Sequence, residues 1–211
     1  MKLAVFGAIG GTGHEVVQQA LDAGHVITVL VRDPSRLSIQ HPRLNVVTGD
    51  ALDPTAVEQT IAGADAVIST LGPSRKLPTP HVMAESSKNI VDAMKKQGVR
   101  RLIILTGAGV PDPGDSPPRG ARQIMLALLK LISGSILEDA IRGVENVRAS
   151  ALDWTVVRVP RLAHGPKRGS YNVGYLNPGF KPIMRADAAE FILKQLTDRR
   201  YVRQAPMMSY E

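Results

Sequence analysis

Lys2-Leu3-Ala4-Val5-Phe6-Gly7-Ala8-Ile9-Gly10-Gly11-Thr12-Gly13 opens the chain with an apolar strand that runs straight into glycines at positions 7, 10 and 13. A glycine at position 7 lets the backbone turn sharply, one at position 10 lets a pyrophosphate approach the main chain, and one at position 13 lets the following helix pack tightly. The turn residues between them, Ile9, Gly11 and Thr12, then present backbone amides at a helix start, where phosphate oxygens are favoured. A second apolar strand, Val26-Ile27-Thr28-Val29-Leu30-Val31, follows the helix. That context turns a glycine triplet into a dinucleotide-binding signature. A phosphate loop ending in Gly-Lys-Ser/Thr is excluded, because His14 follows Gly13.

Working outward, short apolar runs alternate with amphipathic stretches. Strands are expected near residues 2–7, 26–31, 44–48, 65–70, 101–106 and 154–159, and helices near 11–23, 54–62, 79–97, 120–150 and 185–197. Ala66-Val67-Ile68-Ser69-Thr70 and Leu102-Ile103-Ile104-Leu105-Thr106 lack period-two polarity, as strands covered on both sides should. The expectation is an α/β fold: a Rossmann-type doubly wound parallel sheet with helices on both faces. At 211 residues one domain, 1–211, is expected, with a small C-terminal elaboration over about 108–211. In such a sheet the ligand sits at the carboxyl ends of the strands. Gly7, Arg32, Asp50, Leu71, Gly72, Thr106 and Gly107 are thereby nominated for one crevice.

Composition excludes several classes. There is no cysteine, which removes disulfides, thiolate catalysis and zinc-thiolate sites. His14, His25, His41 and His81 show no metal-ligand spacing, so no metal is assigned. The net charge of +7 is scattered in pairs such as Lys95-Lys96, Arg100-Arg101 and Arg199-Arg200, and aromatics are only 4%. Neither feature points to nucleic acid, and anionic small ligands account for a basic balance equally well. With a strand starting at Lys2 and no apolar run near the ~18 residues of a membrane span, a cytoplasmic location without membrane association is expected.

The end of the second strand selects the dinucleotide. An acidic residue there would bind the ribose hydroxyls of NAD, and an arginine accommodates the extra phosphate of NADP. Here Val31-Arg32-Asp33-Pro34-Ser35-Arg36 offers Arg32 and Arg36 as guanidinium forks and Ser35 as a hydroxyl donor. Asp33, preceding proline, is read as shaping the turn. NADP(H) is therefore expected ahead of NAD(H). Asp50 either accepts from the adenine amino group or caps the turn before Asp53-Pro54, and Ala51 offers a backbone amide. Leu71-Gly72 suits a main-chain approach to ribose and phosphate, and Thr106 lies where a nicotinamide would reach.

Two further stretches bear on the other side of the crevice. Residues 110–120, with four prolines and two glycines, form a loop that is either a lid or a plain surface excursion. Gln123 to Ile132 is apolar almost all round, which suits a buried helix or a subunit contact and leaves monomer and homodimer both open. Gly134 is read as separating it from a second helix ending near Ala149.

The stretches Phe6 to Gly13, Val29 to Leu37, Gly49-Asp50-Ala51-Leu52, Asp65-Ala66-Val67-Ile68 and Asn89 to Lys95 resemble the atypical short-chain dehydrogenase/reductases, within them the biliverdin-IXβ reductase/flavin reductase and NmrA-like NAD(P)-binding proteins. The likeness covers the first 110 residues and is looser afterwards, with Gly169-Ser170-Tyr171 and Arg185-Ala186-Asp187 also matching. It implies that Gly10 to Gly13 hold the pyrophosphate, Arg32 and Arg36 the 2′-phosphate, and Asp50 with Ala51 the adenine. Two departures stand out. Gly107 follows Thr106 where flavin reductases commonly carry serine, and Pro160-Arg161-Leu162 occupies a stretch where they carry a histidine, with His164 slightly downstream.

Most short-chain dehydrogenases pair a catalytic tyrosine with a lysine four residues later. Tyr171, Tyr175 and Tyr201 lack that lysine, and Tyr210 is too near the end. Hydride transfer to a flavin or quinone needs no such acid, because the product anion is delocalised. His164 is either a proton donor or an exposed loop residue. Met83 either floors the acceptor pocket or packs in the core, and Arg161 either attracts an acidic acceptor or is solvated. The main reading is an NADPH-dependent reductase of a small planar acceptor. The rival is a non-catalytic NADP(H)-sensing or scaffold protein of the NmrA-like kind, and sugar-nucleotide epimerisation stands third.

Overall fold

Six strands rich in valine, isoleucine and leucine alternate with helices: β1 (Lys2–Phe6), β2 (Val26–Val31), β3 (Leu44–Thr48), β4 (Ala66–Ser69), β5 (Arg101–Gly107) and β6 (Asp153–Val159). Between and after them run α1 (Gly11–Asp22), α2 (Pro54–Ile61), α3 (Val82–Gln97), α4 (Ala121–Arg148) and α5 (Arg185–Lys194). The computed structural model describes residues 1–72, 81–117, 120–179 and 181–210, and the backbone but not the side chains of 121–133. Strand order is β3-β2-β1-β4-β5-β6, all parallel, which is the doubly wound Rossmann arrangement that the sequence predicts.

The missing polar alternation has its cause in the packing. Ala4, Phe6, Val67, Leu102 and Trp154 point to the face covered by α2, α3 and α4. Leu3, Val5, Ile68, Ile103 and Val157 point to the face covered by α1 and α5. Alternate residues of one strand are thus buried on opposite sides, so both must be apolar.

Helix ends follow local chemistry. The Asp53 carboxylate accepts from the Thr55 amide at 2.9 Å, with Pro54 at the first helical position of α2. Gly98, at φ 71°, stops α3. The start expected near residue 79 is displaced: α3 begins at Val82 behind His81 in a left-handed conformation, and residues 79 and 80 lie outside the described residues. Instead of a break at Gly134, α4 continues through it. An interior glycine costs a helix only about 1 kcal/mol, too little to end a helix of 28 residues.

Four short strands escaped the sequence reading because each is only two or three residues long. β10 (Met207–Ser209) extends the sheet in parallel beside β6, and β8 (Asn172–Gly174) closes the edge antiparallel to it. β7 (Leu162–Ala163) and β9 (Ile183–Met184) form a separate parallel pair above the sheet. No helix among the described residues is long and apolar enough to cross a membrane.

Buried arginines tie this C-terminal part down. Arg101 donates to the Gln195 carbonyl at the end of α5 (2.8 and 2.6 Å), to the Asp153 carbonyl (2.7 Å) and to Thr155 Oγ1 (2.9 Å). Burial pushes its guanidinium down to about 10, so it stays charged at neutral pH. Arg158, fully buried on β6, holds Asp115 bidentately at 2.6 Å through both terminal nitrogens, and donates to the Ala205 and Val110 carbonyls at 2.7 and 3.0 Å. Asp112 in turn accepts from Arg148 and from the Gly114 amide. The described part of the proline-rich loop, residues 110–117, is therefore anchored to the sheet rather than hung over it.

The turn from β1 into α1 sets the sheet's mouth. Gly7 adopts φ 88°, and a Cβ on Gly13 would lie 2.1 Å from the Gly7 carbonyl oxygen and 2.8 Å from Thr70 Oγ1. Since the obstructing atom is backbone, nothing can yield cheaply. Gly13→Ala is expected to lower unfolding free energy by about 2–3 kcal/mol in urea titration; a loss below about 0.5 kcal/mol would contradict this packing. Asp115→Ala, which strands the Arg158 charge in the interior, is expected to cost about 3 kcal/mol in the same measurement, against near-neutrality if the pair is dispensable.

Candidate functional site

A cleft of about 700 Å³ opens at the carboxyl ends of β1, β2, β4, β5 and β6, where strand order reverses between β1 and β4. It brings together Gly7, Ile9, Gly10, Gly11, Thr12 and Gly13 from the first turn, Arg32 and Arg36 after β2, Asp50 and Ala51 after β3, and Leu71 and Gly72 after β4. Thr106, Gly107, Met83 and Arg161 line its other end. Of the residues nominated from sequence, His164 and Ser35 are not part of the lining, and the Ser35 hydroxyl is taken by Asp33.

The end nearest β2 is set by a turn. Asp33 accepts from the Ser35 amide at 3.1 Å and from the Ser35 hydroxyl at 2.6 Å, and these bonds hold its carboxyl below the usual carboxylate range. The carboxylate is thus spent on the Pro34–Arg36 turn, as expected, while the Ser35 hydroxyl donates to it. Arg32 lies 3.8 Å from Asp50, both side chains being nearly half exposed (49% and 40%). Such a pair contributes under about 1 kcal/mol, which leaves the guanidinium available to a stronger anion. Asp50 also caps its own turn by accepting from the Leu52 amide at 3.0 Å, and Asn89 on α3 holds the Ala51 carbonyl at 3.0 Å.

The opposite end is apolar and was largely hidden from the sequence. Val82 and Met83 at the start of α3 line this end together with Ile136, Leu137 and Ala140 of the adjoining α4, with Val110 and Leu162 also in the lining. Asp139, buried on α4, accepts from the Met83 and Ala84 amides at 2.9 Å each. It does for α3 what its own N-cap residue, His81, does not. Ile136 is 46% exposed, large for an isoleucine that belongs to a core. The missed signal was the spacing of Ile136, Leu137 and Ala140 on one helix face, masked by the break assumed at Gly134.

No tyrosine reaches the cleft among the described residues. Tyr175 lies under Arg158 and accepts from the Ala205 amide. Tyr171 and Tyr201 flank Phe191 edge-on. Tyr210 donates to Asp187. Among the described residues the only carboxylates in the lining are Asp33 and Asp50, both at the β2 end, and the one hydroxyl at the apolar end is that of Thr106.

Above the first turn lies the segment from β7 to α5. His164 Nε2 accepts from Arg185 Nε at 3.3 Å. A Cβ on Gly11 would meet Arg185 Nε at 2.5 Å and His164 Cε1 at 2.9 Å, so both side chains rest against the start of α1. Asp187, in the first turn of α5, fixes the loop that carries His164. Its carboxylate accepts from the Arg168 and Gly169 amides at 3.0 and 2.9 Å and from the Tyr210 hydroxyl. Burial raises the Asp187 carboxyl, but the hydroxyl and the two amides outweigh it and hold the group below its ordinary value.

The residues fit a dinucleotide on two counts. Side chains at Gly7, Gly11 and Gly13 would fill or distort the turn, so a bare backbone cradle is maintained there. Arg185, which also lines the cleft, has its Nη1 buried with no hydrogen-bond partner among the described residues, a vacancy that an acceptor oxygen would satisfy.

Comparison with known proteins agrees. The family described as NAD(P)H-binding matches residues 7–199. The chain is 27% identical over 177 residues to an uncharacterized chloroplastic protein of Arabidopsis thaliana, covering 80% of this chain and 62% of that one. It is 29% identical over 158 residues to the (4-alkanoyl-5-oxo-2,5-dihydrofuran-3-yl)methyl phosphate reductase of Streptomyces griseus, covering 74% and 46%. It spans about half the length of the curated relatives it matches. ChuY, an anaerobillin reductase from Escherichia coli O157:H7, superposes with a TM-score of 0.81 at 21% identity, covering 99% of this chain and 97% of that one. A short-chain dehydrogenase/reductase from Veillonella parvula, solved in complex with NADP, gives 0.82 at 20%, covering 99% and 94%. These structural likenesses carry the fold, while the family match spans almost the whole sequence and takes in the glycine turn from Gly7 onward. The chain belongs to the NAD(P)H-binding family of Rossmann-fold proteins.

Proposed function

We propose that the protein is an NADPH-dependent reductase that delivers hydride to a small planar conjugated acceptor, of the flavin or quinone class. The observation that carries this reading is the pairing, in one cleft, of a bare glycine turn with an apolar end that holds no tyrosine or carboxylic acid among the described residues. When bound, the reduced nicotinamide supplies the hydride. The backbone amides that open α1 hold its pyrophosphate. Arg32 and Arg36 hold the 2′-phosphate and favour NADP over NAD, with the Asp33 carboxylate held in its turn by the Ser35 amide and hydroxyl. Asp50 and Ala51 meet the adenine, and Leu71 and Gly72 the ribose and phosphates. Thr106 orients the reacting ring at the end of β5.

Val82, Met83, Ile136 and Leu137 sandwich a flat acceptor and exclude water, which strengthens orientation at the reacting atoms. Arg161 attracts an acidic substituent on that acceptor. Overall, NADPH, acceptor and one proton give NADP and the two-electron-reduced acceptor. With no acid at the apolar end, the proton comes from solvent onto a delocalised anion, a step that an isolated ketone could not use as readily.

Purified protein is expected to oxidise NADPH, followed at 340 nm, with FMN, riboflavin or a simple quinone as acceptor. Arg32→Ala with Arg36→Ala should raise the Kd for NADPH about tenfold or more while moving that for NADH little. Cofactor binding without turnover across flavins and quinones would overturn the reductase reading in favour of an NADP(H)-sensing protein.

A further inference from the structure

We propose that Arg185, at the first position of α5, is a pyrophosphate-binding residue that closes over the glycine turn from the opposite side of the cleft. This rests on the dinucleotide reading above, and adds a side chain from the C-terminal part of the fold to a grip otherwise made of backbone. Three observations point to it. Arg185 lies against Gly11, close enough that any Cβ there would overlap its Nε and Cδ, at 2.5 and 2.8 Å. It lines the cleft, and its Nη1 is buried with no partner among the described residues, a donor that a phosphate oxygen would satisfy. Its Nε is already engaged by His164, which leaves the terminal nitrogens of the fork for another acceptor.

The electrostatics agree. No carboxylate among the described residues pairs with Arg185: Asp187 is taken by the Arg168 and Gly169 amides and the Tyr210 hydroxyl, and Glu190 by Lys167 and Lys194. A guanidinium next to a helix N-terminus is repelled by the positive end of the helix dipole. Holding a cation there without an anion is unfavourable, and a pyrophosphate carrying two negative charges reverses the sign for both partners at once. A planar fork also matches two phosphate oxygens in a way that an ammonium does not.

The test is calorimetric titration of wild type, Arg185→Met and Arg185→Lys with NADP, NAD and 2′-AMP, the last of which carries the 2′-phosphate but no pyrophosphate. Arg185→Met should weaken NADP and NAD by a common factor of about 10–100, the range for a charge-assisted hydrogen bond, and leave 2′-AMP unchanged. Arg185→Lys should recover part of that loss. Unliganded melting temperatures near wild type for either variant would exclude simple unfolding. Equal loss of all three ligands would show a structural role and overturn the proposal. So would unchanged NADP affinity accompanied by a raised KM for the acceptor alone, which would place Arg185 on the acceptor. Failure of the wild-type protein to bind NADP or NAD would instead defeat the underlying dinucleotide reading.

Discussion

The contact between Gly13 and the Gly7 carbonyl is the constraint on which the site is built. Two stretches of backbone approach so closely that even a methyl group would sit 2.1 Å from an oxygen. That approach fixes the angle at which α1 leaves β1, and so aims its first amides across the mouth of the sheet. Thr70, donating to the Phe6 carbonyl at 3.1 Å, locks the end of β4 onto the same turn. The crevice between β1 and β4 is therefore a consequence of packing that a larger residue at either glycine would destroy.

Around this fixed turn the fold supplies two arms. One is the α3–α4 pair, in which a buried carboxylate, Asp139, holds the Met83 and Ala84 amides and so joins the start of α3 to the stretch of α4 that carries Ile136 and Leu137 into the lining. The other is the β7-to-α5 segment, where Asp187 fastens the 168–169 backbone and Arg185 with His164 reaches the start of α1. Each arm depends on a carboxylate that accepts from two backbone amides, Asp139 from Met83 and Ala84 and Asp187 from Arg168 and Gly169, which fixes the segment that carries those amides. The first arm is apolar at the cleft and the second is cationic, which matches a ligand that is flat at one end and anionic at its middle.

Much of this was legible in the residues. The six long strands and the glycine turn are local patterns, written in consecutive apolar residues and fixed spacings, and the fold follows from them. The lining around Arg32, Asp50, Leu71 and Thr106 was legible for a related reason: in a doubly wound sheet every strand end points to one mouth. The four short strands were not, since two or three residues carry no period. Nor was the α4 wall, because an interior glycine reads as a break unless its neighbours are weighed. Arg185 and Asp139 escaped for a deeper reason. Their importance lies in what they touch across 174 and 56 positions of sequence, Gly11 and Met83 respectively, and no local pattern encodes such partners.

The central claim is that phosphate oxygens are held by the backbone at the start of α1. Its most direct test is a two-dimensional amide NMR titration with NADP. The account predicts that the Gly10, Gly11 and Gly13 amide resonances move together and saturate with the ligand, ahead of changes elsewhere in the sheet. Saturable NADP binding that leaves those three resonances in place would contradict it.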